Sequence, residues 1–144
     1  MNLDYKNIVV AVDGSEASEK AFKKSLNIVK NNNARLIIAH VVDSRTFATA
    51  EAYDRTLAER ADEYAAELLD RYIDEAKAAN LDDLVKCVEY GSPKIKIAKD
   101  IAKNFDADLI ICGATGLNAV ERFLIGSVSE NIARHASCDV LVVR

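Results

Sequence analysis

The sequence predicts an α/β domain: a mainly parallel sheet with helices on both faces. Three observations carry that expectation. Five short apolar runs rich in Val and Ile alternate with amphipathic helical patterns, giving the order β-α-β-α-β-α-β-α-β. The 144 residues suit one domain, 1–144, with no internal repeat, low-complexity tract or Pro/Ser-rich linker to divide it. Three of the five glycines fall within fourteen residues, in "GATGLNAVERFLIG" after the fourth run, which is where such sheets place their loops and ligands.

Taken in order, "NIVVAVD" at 7–13 is a continuous apolar run, as expected of a strand buried on both faces. It ends at "DGS", and Ser15 or Ser18 can cap a helix whose Phe22, Ser25, Leu26 and Val29 share one face. "NNN" ends that helix, and Ala34 to Asp43 gives the second strand. After a polar connection, Leu57, Ala61, Tyr64, Leu68, Tyr72, Ala76 and Ala79 recur at spacings of three and four, predicting a long amphipathic helix from about Arg55 to Ala79. Asp83 to Gly91 alternates, as suits an edge strand with one wetter face. Ser92 as N-cap and Pro93 as first helical residue then open a third helix with Ile95, Ala98, Ile101, Ala102 and Phe105 as its buried stripe. Ala107 to Gly113 is the fourth strand, "SVSENIARHA" a short last helix, and "DVLVVR" the fifth strand. Helical crossovers between parallel strands are right-handed, which covers both faces of the sheet.

Composition excludes several function classes. A formal charge of −4, with no basic stripe, speaks against nucleic acid and anionic lipid as partners. The apolar run in "MNLDYKNIVVAVDG" is too short to span a bilayer and makes a poor signal peptide, so a cytoplasmic protein is expected. Cys87, Cys112 and Cys138 lack metal or redox spacing and read as buried free thiols, packing being favoured over reactivity even for Cys112 beside the glycines. His40 and His135 are too far apart for a local metal site.

Chemistry therefore concentrates at the glycines. Gly113 and Gly116 can turn the chain with N–H groups toward a phosphate, and Gly126-Ser127 opens a helix whose first N–H groups and dipole favour an anion. Ser127 and Glu130 also spell the capping box S-x-x-E, which needs no ligand, and on spacing alone the two readings are level. Asp13, ending the first strand, can cap the following turn or sit beside a ribose or a phosphate-bound metal. Arg122 reads as a solvated side chain.

From "NIVVAVDGS" to "CDVLVVR" the chain resembles the universal stress protein family, and G-x2-G-x9-G-S at Gly113, Gly116, Gly126 and Ser127 resembles the signature of its ATP-binding branch. The resemblance implies an open five-stranded parallel sheet of order 3-2-1-4-5, Rossmann-like and of the adenine nucleotide alpha hydrolase type, with ATP between strands one and four. It implies that Ala11 and Asp13 line the nucleotide and that the main chain of Val41 reads adenine. Gly113, Gly116, Gly126, Ser127, Val128 and Ser129 would hold ribose and phosphates, with Mg2+ or another divalent cation held mainly by the phosphates. A homodimer through the last strand, 139–143, is implied as well. Ser137 and Asp139 replace the family's usual prolines at the entry to that strand.

The function expected is an ATP-binding switch or sensor in stress response. No "GK[ST]" P-loop or catalytic constellation is present, so at most slow ATP hydrolysis is expected. The alternative is a nucleotide-independent dimeric protein-interaction module. A phospho-receiver is disfavoured because strand four ends "IICGATG" without an acceptor aspartate, and a dinucleotide dehydrogenase because "VDGSEAS" lacks G-x-G-x-x-G.

Overall fold

The apolar runs become five strands: β1 Asn7–Ala11, β2 Arg35–Asp43, β3 Leu84–Gly91, β4 Leu109–Gly113 and β5 Asp139–Val143. The computed structural model describes residues 4–43, 55–116 and 125–144. The strands pair in the order β3-β2-β1-β4-β5, each with its neighbours in parallel. The helices are α1 Glu16–Asn32, α2 Arg55–Ala78, α3 (93–104) and α4 Ser127–His135.

Strand alternation divides the core in two. Ile8, Val10, Leu36, Ile38, Leu109 and Ile111 face α1 and α2, packing on Phe22, Val29, Leu69 and Tyr72. Val9, Ala11, Ile37, Ala39, Val41, Ile110 and Cys112 face α3 and α4, against Ile97, Ile101 and Ile132. Each fully buried aliphatic side chain contributes roughly 1.5–3 kcal/mol, and three central strands buried on both faces supply most of them.

Two of the expected helical stripes are corrected. In α2 the buried residues are Ala65, Leu68, Leu69, Tyr72 and Ala76, whereas Leu57 and Tyr64 are exposed. Tyr64 lies over β2 with only partial cover, its ring meeting that of His40 at 5.9 Å between centroids. In α3, Ile95 is 53% exposed and Ile97 is buried. Lys96–Ile101 is π-helical, with the Ala102 N–H bonded to the Ile97 carbonyl. A π turn inserts one residue into the helical phase, so a stripe traced backward at 3.6 residues per turn misses the first turn.

Three helix ends are closed alike. Asn33, Asn80 and Asp106 take φ of 51°, 67° and 50°. The following N–H reaches back in each case: Ala34 to Val29 O at 3.1 Å, Leu81 to Ala76 O at 3.1 Å and Ala107 to Ala102 O at 2.8 Å. This is the Schellman closure, made with Asn and Asp where Gly is commonest.

The amino ends of the strands are tied off by side chains. The Asp108 carboxylate accepts the N–H of Lys6 at 2.8 Å and of Asn7 at 3.2 Å, and Asn32 Oδ1 accepts the Tyr5 N–H at 3.2 Å. Among the described residues no helix is long and apolar enough to cross a membrane.

The aromatic pair Phe22–Tyr72, with centroids 4.4 Å apart, locks α1 to α2. Tyr72 Oη is buried there without a hydrogen-bond partner among the described residues. A buried hydroxyl left unpaired costs about 1–3 kcal/mol. Tyr72→Phe is therefore expected to leave the fold intact and raise its stability by roughly 1 kcal/mol; a lower midpoint in urea denaturation would show that the hydroxyl is satisfied.

Candidate functional site

Strand order reverses between β1 and β4, which leave the sheet in opposite directions through their connections. Residues singled out in the sequence converge beyond the carboxyl ends here, the place where such sheets bind ligands. Ala11 is the last residue of β1 and is buried. Asp13 follows it, with Oδ1 accepting the Ser15 N–H at 2.9 Å. That bond starts α1, whose N-cap Ser15 accepts the Ser18 N–H at 3.1 Å. Both serines considered as caps are used, since Ser18 Oγ accepts the Asp13 N–H at 3.2 Å.

Val41 lies on β2 beyond the last β1–β2 rung, Ala11↔Ala39, while still paired with Glu89 of β3. Ala39 O accepts the Val12 N–H, so it points toward β1. Main-chain direction alternates along a strand, so Val41 also directs its N–H and carbonyl to that side, past the end of β1.

The glycines have separate tasks. A Cβ on Gly113 would lie 2.7–2.9 Å from the main chain and Cβ of Ala17, so this glycine lets α1 seat against β4. A Cβ on Gly116 would meet only Asp13 Oδ2, at 3.2 Å. The loops of β1 and β4 thus touch where Asp13 faces Gly116. Gly126 sits against the same loop, donating its N–H to the Ala114 carbonyl at 2.6 Å.

Gly126, and not Ser127, is the N-cap of α4. The capping box is not formed, because the helix begins one residue earlier than that pattern requires. Ser127 is the first helical residue, and Glu130 Oε1 is held by Arg134 Nη2 at 2.8 Å. Glu130 is thereby drawn along the helix and away from its N-terminus. Ser129 is buried, with Oγ donating to Ala114 O at 2.9 Å and lying 3.0 Å from Gly126 O. Its hydroxyl therefore braces the loop. Val128 is half-buried against the α3–α4 core. With a glycine cap, no side chain among the described residues satisfies the first N–H groups of α4 at Ser127, Val128 and Ser129. Arg122 lies outside the described residues.

Sequence reasoning missed three residues. Tyr64 Oη donates to the Asp13 carbonyl at 3.0 Å, and His40 Nδ1 lies 2.8 Å from the Val12 carbonyl. Gly14 has φ of 84°, and a Cβ there would collide with the Tyr64 hydroxyl. "DGS" signalled a turn, but no local pattern pairs it with a tyrosine fifty-one positions from Asp13. Among the described residues no group of His, Cys, Asp or Glu is arranged to hold a metal ion without help from a ligand. Cys112, beneath the loop, has its thiol pushed up to about 11 by burial, which removes the nucleophilic thiolate near neutrality.

Fold and site together define an open, doubly wound α/β domain with its candidate site at the switch point. The profile of the Universal stress protein family matches residues 4–144, and the chain belongs to that family. A Staphylococcus aureus (strain USA300) relative bearing the universal stress protein name is 50% identical over 142 residues, covering 99% of this chain and 86% of that protein. Among solved structures, universal stress protein UspA from Lactobacillus plantarum is 36% identical with a TM-score of 0.86, over 99% of this chain and 100% of that one. A universal stress protein in complex with cAMP is 29% identical with a TM-score of 0.76, over 98% of both chains.

The two motif glycines should separate by experiment. Gly113→Ala, pressed on the α1 backbone, is expected to lower stability by about 1–3 kcal/mol. Gly116→Ala, pressed only on a carboxylate, should change the urea midpoint little; equal losses would show that both glycines serve packing. Alkylation at pH 8 is expected to modify Cys87 and Cys138 before Cys112, which should react only on unfolding; rapid labelling of Cys112 in the folded protein would contradict its burial.

Proposed function

We propose that the chain binds an adenine nucleotide, ATP, at the β1–β4 switch point and acts as a nucleotide-dependent switch or sensor in stress response. The observation that carries this reading is the uncapped N-terminus of α4, held by Gly126 against the Gly116 loop opposite Asp13. Main-chain N–H groups beside a glycine cradle, with Glu130 drawn off by Arg134, suit an anion. The cAMP complex of a 29% identical universal stress protein supports an adenine nucleotide as that anion.

In this reading Gly116, Ser127, Val128 and Ser129 hold phosphates through main-chain N–H groups, Gly126 seats the start of that helix against the Ala114 carbonyl, and Gly113 keeps the loop close to α1. Ala11 and Asp13 border the ribose, and the outward main chain of Val41 meets the adenine edge. A divalent cation such as Mg2+, held mainly by the phosphates, would offset their charge near Asp13 Oδ2. Among the described residues no base is positioned for fast hydrolysis, and binding is the proposed activity, with hydrolysis slow at most. We also propose that residues 1–144 act as one cytoplasmic domain that forms a homodimer through 139–143. β5 is a sheet edge carrying half-buried Val140, Leu141 and Val142, an edge that another strand would protect.

The test is to denature the purified protein, identify released nucleotide by chromatography and mass spectrometry, and compare Gly116→Val. The expected result is near-stoichiometric adenine nucleotide, lost in the variant. For protein freed of nucleotide, Mg·ATP at a hundredfold excess over Kd should add about 2.7 kcal/mol of apparent stability. Empty protein that ignores Mg·ATP would instead favour the nucleotide-independent dimeric module.

A further inference from the structure

We propose that His40 and Tyr64 are positioning residues that set nucleotide affinity by fixing the Asp13 peptide so that Oδ2 alone is left facing the Gly116 loop. The proposal rests on the nucleotide reading above and concerns what tunes that site.

Beyond the β1 ladder, residues 12 and 13 have four main-chain polar atoms, and each has a partner. The Val12 N–H donates to Ala39 O at 2.9 Å, and the Asp13 N–H to Ser18 Oγ at 3.2 Å. The Val12 carbonyl, which can only accept, takes the His40 Nδ1–H at 2.8 Å, and this fixes the proton of the neutral ring on Nδ1. The Asp13 carbonyl takes the Tyr64 hydroxyl at 3.0 Å. Asp13 Oδ1 is committed to the Ser15 N–H at 2.9 Å, which leaves Oδ2 toward Gly116.

The two carbonyl donors come from β2 and α2, and they support each other. Their rings meet edge to face with centroids 5.9 Å apart and planes at 66°. Tyr64 is 45% exposed, which is unusual for an aromatic on the inward side of a helix and unneeded for the core. Gly14 makes room for it, since any Cβ there would displace the hydroxyl. An Asp whose main chain is held at both consecutive carbonyls presents its free oxygen without reorganisation when a ligand arrives. Removing either donor lets the loop rotate and lowers affinity without deleting a ligand contact.

The experiment measures Mg·ATP binding by calorimetry, and amide exchange of Asp13 and Ser15 by NMR, for Tyr64→Phe, His40→Ala and His40→Asn. Each is made in the wild-type and in the Asp13→Ala background. Tyr64→Phe and His40→Ala are expected to speed exchange at both amides and to weaken binding about three- to tenfold, the worth of one hydrogen bond. That loss should vanish when Asp13 is Ala, while His40→Asn, which keeps an N–H near the Nδ1 position, should behave like wild type. Unchanged exchange, or the same loss of affinity in the Asp13→Ala background, would overturn the proposal. Wild-type protein that takes up no Mg·ATP would overturn the nucleotide reading and its tuning together, and the exchange rates would still decide whether the two side chains hold Asp13.

Discussion

One carbonyl oxygen, that of Ala114, holds the functional end of this molecule together. It accepts the Gly126 N–H at 2.6 Å and the Ser129 hydroxyl at 2.9 Å, tying the start of α4 to the end of β4. Its own residue stays in register with the sheet through the Ala114 N–H, bonded to Val143 O at 2.7 Å. The position of the α4 N-terminus is thereby referred directly to the sheet, and the loop between them need not set it. Because the cap is glycine, the next N–H groups have no side-chain partner among the described residues. At α1, by contrast, side chains take part of that role: Ser15 accepts the Ser18 N–H and Asp13 the Ser15 N–H.

Glycine use follows the same division. Where only a positive φ was needed, at three helix ends, the chain uses Asn33, Asn80 and Asp106. Its five glycines all lie at or just beyond the carboxyl ends of strands or at the cap of α4, and at Gly14 and Gly113 a Cβ would come within 3.0 Å of a neighbour. Gly113 admits α1, Gly126 admits the Ala114 loop and Gly14 admits Tyr64. A motif that reads as one ligand signature is thus several packing solutions placed side by side, with Gly116 the member least explained by packing.

The fold was legible because its signals are local. Val-rich runs such as "NIVVAVD" and "ARLIIAHVVD" have few alternatives to buried parallel strands, and "SPK" fixes a helix start. What failed depended on where an element ends relative to its neighbours. Leu57 and Tyr64 keep the helical period but stay exposed, and Ile95 precedes a π turn that no composition announces. At the site, Asp13 and the glycines were visible, whereas the capping-box reading erred by a single residue because Gly126 took the cap. His40 and Tyr64 were invisible as loop partners, since their bonds cross 28 and 51 positions and serve backbone carbonyls that carry no side-chain signature.

The closure of the amino ends by Asp108, Asn7 and Asn32 gives the molecule two unlike poles. At one, main-chain groups are tied off by neighbouring side chains, so the registration of β1 with β4 is secured without reference to the other. The opposite pole can therefore exchange an occupant, or accumulate altered loops over evolutionary time, while the bonds that register the sheet stay in place. Such insulation separates heritable variation in what is recognised from the conditions for folding, which lets one small scaffold diversify without being reinvented.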